Sequence, residues 1–113
     1  MPSDWDGGTI TAVFYWTGAS LGGSNDVIWA LQGRSYADND AIDQAFGTAQ
    51  PVTDTLPAAD DLAISAATAA ITITGAGASE LVQFRVYRDA DNGSDNYDDD
   101  ALLIGVMITF GRS

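Results

Sequence analysis

The chain has 113 residues and a formal net charge of −12, from sixteen carboxylates against four cations, and it contains neither histidine nor cysteine. So acidic a chain lacks the basic footprint that supplies most nucleic-acid affinity, and no apolar window approaches the roughly 18 residues of a membrane span, so neither nucleic acid nor membrane is expected as a partner. Without Cys, His or Lys there is no thiolate, imidazole base or Schiff-base amine, and the carboxylate chemistry that remains needs a deep cleft between two acids; we therefore assign no catalytic residue, metal ligand or cofactor, and expect no enzyme.

The length fits one domain, since domains cluster at about 100–150 residues, and 1–113 is read as a single one, opening without a basic-then-apolar leader. Fifteen of the sixteen acids are Asp, Glu80 being the exception, and all four cations are arginines. Asp favours turns, while the near absence of Glu and Lys removes the usual surface helix formers.

Thr9–Thr17 is the first expected strand: Ile10, Ala12, Phe14 and Trp16 share one face, and Thr11, Val13 and Tyr15 the other. A polar loop over Gly18–Asp26 follows. Val27–Tyr36 is the second strand, with Gly33 marking a bulge or a close backbone approach. Asp38-Asn39-Asp40 could cap one helical turn carrying Ile42, Ala45 and Phe46, the single place where helix is expected. Val52–Thr55, between Pro51 and Pro57, reads as a short edge strand.

Beyond Asp60-Asp61 the apolar parity changes, from Leu62 and Ile64 to Ile71 and Ile73, so two strands separated by a turn or bulge are expected. Glu80–Arg88 alternates most cleanly, with Val82, Phe84 and Val86 inward. After an acidic loop, Leu102–Phe110 sets Leu102, Ile104, Val106, Ile108 and Phe110 against Leu103, Met107 and Thr109. About seven short strands with Gly, Asp and Pro at their turns describe an all-β, jelly-roll-like antiparallel β-sandwich. Its expected core is Phe14, Trp16, Trp29, Leu31, Val82, Phe84, Val86, Ile104, Val106 and Ile108.

Three features invite a ligand. Asp89–Asp100 is dense in the hard oxygens that Ca²⁺ prefers, but the helical calcium-loop spacing fails, because Ser94 stands where that loop needs its glycine; a solvated loop with weak or no metal binding is expected. Asp38, Asn39, Asp40 and Asp43 read as turn and cap residues. Among the aromatics, Trp16 and Trp29 lie in alternating strands and belong to the core, whereas Trp5 opens in a polar segment and is the best candidate for an exposed, glycan-binding ring. Arg85 and Arg88 point to opposite faces by parity and are expected to form ion pairs or to bind backbone carbonyls.

Four blocks in order, Pro2-Ser3-Asp4-Trp5-Asp6-Gly7-Gly8-Thr9 running into Phe14-Tyr15-Trp16-Thr17, then Val27–Arg34, Glu80–Asp89 and Leu102–Ile108, resemble a family of small structural proteins of tailed-bacteriophage virions. The resemblance implies a jelly-roll-like sandwich and a structural role without catalytic residues. The expected role is that of a capsid decoration (cement) protein on the capsid surface, docked on the major capsid protein as a homo-oligomer, a trimer. The alternative is a head- or tail-fibre module that binds host-surface glycan. Members of that family carry further strand sequence ahead of the Pro-Ser-Asp block, so either that strand is dispensable here or a neighbouring chain covers the edge left exposed.

Overall fold

A computed structural model of the chain, which describes residues 1–112, is all-β, with six strands and no helix among the described residues. The strands are β1 (Trp5–Gly18), β2 (Asp26–Tyr36), β3 (Gln50–Thr55), β4 (Ala63–Ile64), β5 (Leu81–Arg88) and β6 (Ala101–Arg112). They form two antiparallel three-stranded sheets, ordered β4-β1-β6 and β3-β2-β5. Alternation drives the arrangement. Ile10, Ala12, Phe14 and Trp16 from β1 meet Val27, Trp29 and Leu31 from β2 in one buried cluster. Phe14 stacks on Trp29 at 6.2 Å between ring centroids, and Trp16 meets the same ring edge-on, the geometries that aromatic quadrupoles favour.

The expected core is present, except at one residue. Phe14, Trp16, Trp29 and Leu31 are buried, and Val82, Phe84, Val86, Val106 and Ile108 pack half-buried against them. Ile104 is instead 63% exposed. The cause is a register shift: Tyr15 pairs with Gly105 but Trp16 pairs with Leu103, leaving Ile104 as an extra residue on β6. A bulge reverses side-chain parity. From Val106 to Phe110 the even positions share the inner face with Phe14, Ala12 and Ile10, whereas before the bulge Ala101 and Leu103, the latter still 39% exposed, pair with Gly18 and Trp16 on that side and Leu102 points out.

The stretch after Leu56 also departs from expectation. Leu62 and Ile64 are exposed while Ala63 and Ser65 are buried, so the inward parity is odd from the start. One two-residue strand stands where two strands were expected, and Ile71 enters only an isolated bridge to Ile10. Between them lie two similar triplets, Ser65-Ala66-Ala67 and Thr68-Ala69-Ala70. Ser65 N–H donates to the Phe14 carbonyl, Thr68 N–H to that of Ala12, and Ile71 N–H to that of Ile10. Three residues therefore advance for every two of β1. The missing main-chain acceptors are replaced by hydroxyls: Phe14 N–H donates to Ser65 Oγ at 2.9 Å and Ala12 N–H to Thr68 Oγ1 at 3.1 Å. Each hydroxyl then donates to the next carbonyl along its own chain. The margin of β1 is thus satisfied without a regular strand.

No helical turn forms at Asp38–Phe46. Ala37 N–H donates to Asp40 Oδ2, Asp40 N–H returns to the Ala37 carbonyl, and Asn39 takes φ 70°, which makes a tight turn. The chain then runs back along β2, strapped by alternate side chains. Gln32 donates to the Gly47 carbonyl, Arg34 to that of Ala45 and Tyr36 to that of Ile42. Those carbonyls are therefore held by side chains from β2, and Ile42 is left outside, 80% exposed. Gly33 is a close approach and not a bulge, since the β2–β5 register runs unbroken through it. A Cβ there would stand 2.7 Å from Ile73 Cδ1 and 3.2 Å from the Phe84 ring.

Candidate docking surface

The acidic loop is built into the fold. Asp95 is buried, accepting the Ile28 N–H at 2.9 Å and pairing with Arg88 through Nη2 at 2.7 Å and Nε at 3.1–3.2 Å. The same guanidinium donates to the carbonyls of Tyr97 and Asp99, and it lies 5.8 Å from the Tyr97 ring. Its pKa is raised, first by the hydrogen bond to Asp95. Tyr97 plugs one end of the molecule: its ring meets Trp16 edge-on, its hydroxyl donates to the Ser20 carbonyl, and it occupies the space a Cβ on Gly18 would need. Asp99 is fully exposed and held below the usual carboxylate range by the Ser20 hydroxyl and the Asp100 N–H. No group of three or more acids placed to hold a metal occurs among the described residues.

Trp5, expected as an exposed ring, is 1% exposed and belongs to the core cluster. Its strand begins earlier than the apolar alternation suggests, because Trp5 pairs with Arg112 across an irregular stretch at Asp6–Thr9. Trp16 and Trp29 are core as expected, and the Trp16 Nε1–H donates to Asp54 Oδ2 at 2.8 Å. All three indole rings are consequently closed to a ligand. Arg85 donates to Gln32 Oε1 and covers the Tyr87 ring at 4.8 Å; its partner is an amide, whereas Arg88 joins an ion pair and binds carbonyls as well.

What the molecule does present is apolar. On β6, Leu102, Ile104 and Met107 are exposed, and across β1 so are Leu62 and Ile64. Half-buried Val13 and Tyr15 lie between them on the outer face of the same sheet, with Val13 opposite Met107 and Tyr15 opposite Ile64. From Ala101 to Gly111 the strand carries no charge in a chain of −12. The bulge at Ile104 creates this surface, by turning outward two side chains that simple alternation sends inward. The signal was in the sequence: Leu102-Leu103-Ile104-Gly105 is three consecutive large apolar residues and a glycine, and a strand cannot point all three inward.

A second opening lies along one side. β3 and β4 approach each other at the opposite side, which leaves β5 and β6 flanking this one, each hydrogen-bonded to a single neighbour. Val82, Phe84 and Val86 of β5, and Val106, Ile108 and Phe110 of β6, are each only half-buried along this seam. A groove of about 630 Å³ borders the β5 margin, lined by Tyr36, Ile42, Leu81, Val82, Gln83 and Phe84. No family model, curated protein or solved structure matches the chain.

Proposed function

We propose that this chain is a non-enzymatic structural protein of a tailed-bacteriophage virion, a capsid decoration protein that docks on the major capsid protein at the capsid surface, as a trimer. One observation carries the docking: an uncharged apolar sheet face, from Ile64 through Tyr15 to Met107 and Ile104, on a chain whose carboxylates number sixteen. Apolar contact gains about 25 cal/mol per Å² removed from water, so such a face favours a broad, dry partner surface. The acids elsewhere oppose contact between copies through other faces, and between whole particles, by repulsion. The virion assignment and the jelly-roll connectivity rest on the four sequence blocks that resemble phage structural proteins.

The burial of Trp5, Trp16 and Trp29 weighs against the fibre reading, because a glycan platform needs a free ring face. Counting copies in purified particles, with a reconstruction of the intact virion, tests the proposal. Hundreds of copies with density on the shell at threefold positions are expected. A few copies confined to a tail or fibre would overturn it in favour of glycan binding.

A further inference from the structure

The proposed function uses the outer face and leaves the seam between β5 and β6, which no strand spans among the described residues; at its Glu80 end Met1 packs against the core and its N-terminal ammonium donates to the Glu80 carbonyl at 2.8 Å. We propose that copies of this chain join along the seam, β6 of one copy hydrogen-bonding antiparallel to β5 of the next, in a closed ring about an axis parallel to the strands. Only the number of copies, three, rests on the decoration-protein reading.

Strand direction permits this pairing. The segment through Ile71 and Thr74 runs antiparallel to β1 at Ile10 and parallel to β2 at Arg34, so β1 and β2 run in opposite senses. β5 is antiparallel to β2, and β6 to β1, so β5 and β6 also oppose each other. Rotation about an axis along the strands preserves these senses, and β6 therefore meets the next copy's β5 as an antiparallel neighbour, with both free margins used.

The side-chain patterns agree with a single register. With Phe84 opposite Ile108 of the next copy, Val82 faces Phe110 and Val86 faces Val106, so all six half-buried inner side chains fall on one side of the joint and close over the seam. Ile108 and Phe110 then reach the groove beside Val82 and Phe84. On the other side Gln83 faces Thr109, and Arg85 faces Met107.

Charge fits the same register. β6 brings no carboxylate to the joint, so strands of a strongly acidic chain meet without like charges along their length. At its end Arg112, exposed and bonded to Asp4 at 3.2 Å, falls opposite Glu80. The Glu80 side chain accepts one hydrogen bond, from Ser35 at 3.3 Å, and a carboxylate has capacity for more. The contact is heterologous, one patch meeting a different patch, which closes into a ring when the rotation allows.

The absence of cysteine makes disulfide trapping clean. Gln83 and Thr109 are exposed and lie on the outer faces of different sheets, so Q83C and T109C in one chain cannot bridge internally. Directly opposed cross-strand positions have the Cα separation a disulfide needs. After oxidation at high protein concentration, Q83C/T109C is expected to run as a covalent trimer on a non-reducing gel, and mixed single variants as a one-to-one dimer. Each single variant alone is expected to remain monomeric. Circular dichroism spectra matching the unsubstituted chain verify that the variants fold. Cross-linking of T109C alone would indicate a twofold β6–β6 contact and overturn the proposal, as would a folded double variant that never cross-links. A covalent ring of another size upholds the edge pairing and removes the trimer from the proposed function.

Discussion

Asp95 is the acid most deeply tied into the fold. It neutralises Arg88 and satisfies the Ile28 N–H from a nearly solvent-free position. Removing one member of a buried pair leaves the other charge uncompensated, a cost of about 3–5 kcal/mol. Asp95→Ala is therefore expected to lower the unfolding free energy in urea by that amount, and an unchanged midpoint would show that the loop contributes nothing to folding. The raised pKa of Arg88 gives the sign of its pH dependence: the contribution is fully present below the ordinary guanidinium value and is lost only as pH rises through the higher folded one. Stability is then flat in this group through neutral and mildly alkaline pH. Asp99 behaves oppositely. Its depressed pKa means that its contact with Ser20 is present above the ordinary carboxylate value and fades as pH falls through the folded one. Ser20→Ala should raise the Asp99 pKa toward that ordinary value, read from the carboxyl carbon in an NMR titration.

At the scale of elements, the Ser65 and Thr68 triplets and the bulge at Ile104 set the shape of one sheet. Thr68→Val keeps the side-chain volume but orphans the buried Ala12 N–H, an expected loss of about 1–3 kcal/mol in chemical denaturation. Ile104→Ser should stay within about 0.5 kcal/mol of the parent, whereas Phe14→Ala should lose about 3–5 kcal/mol; equal losses at both positions would place Ile104 inside. The same elements show where sequence reasoning holds. Period-2 alternation located β1 and β5 and their inward faces, because a half-buried strand must alternate; β2 is buried on both faces from Val27 to Leu31 and alternates only beyond it. It failed at Ile104 and at Leu62–Ile73, where an inserted residue resets the phase and hydroxyls replace main-chain acceptors. It failed too at Trp5, because local polarity says nothing about a strand that Arg112 pairs from the far end of the chain. The helical spacing of Ile42, Ala45 and Phe46 lost to the three straps from Gln32, Arg34 and Tyr36. The exposed apolar face of β6 and β1 was missed for the phase reason alone.

Over the whole molecule, charge governs how copies meet. At −12 they repel one another, and raising ionic strength from about 0.01 M to about 0.15 M shortens the screening length from about 30 Å to about 8 Å. Self-association measured by sedimentation is expected to strengthen across that range. Weakening with salt would mean that ion pairs such as Glu80 with Arg112 dominate the contact over the apolar strands. The margins of the two sheets are unequal in a way that decides the outcome. β3 carries Pro51, which has no N–H to offer, and the border of β1 beyond β4 advances in triplets that no straight strand can match. Sheet growth from the β5 and β6 side therefore meets a dead end within three strands. Each copy then offers two pairing edges on one flank and none on the other, so a continuous sheet stops after three added strands, and the assembly itself stops only where the ring closes.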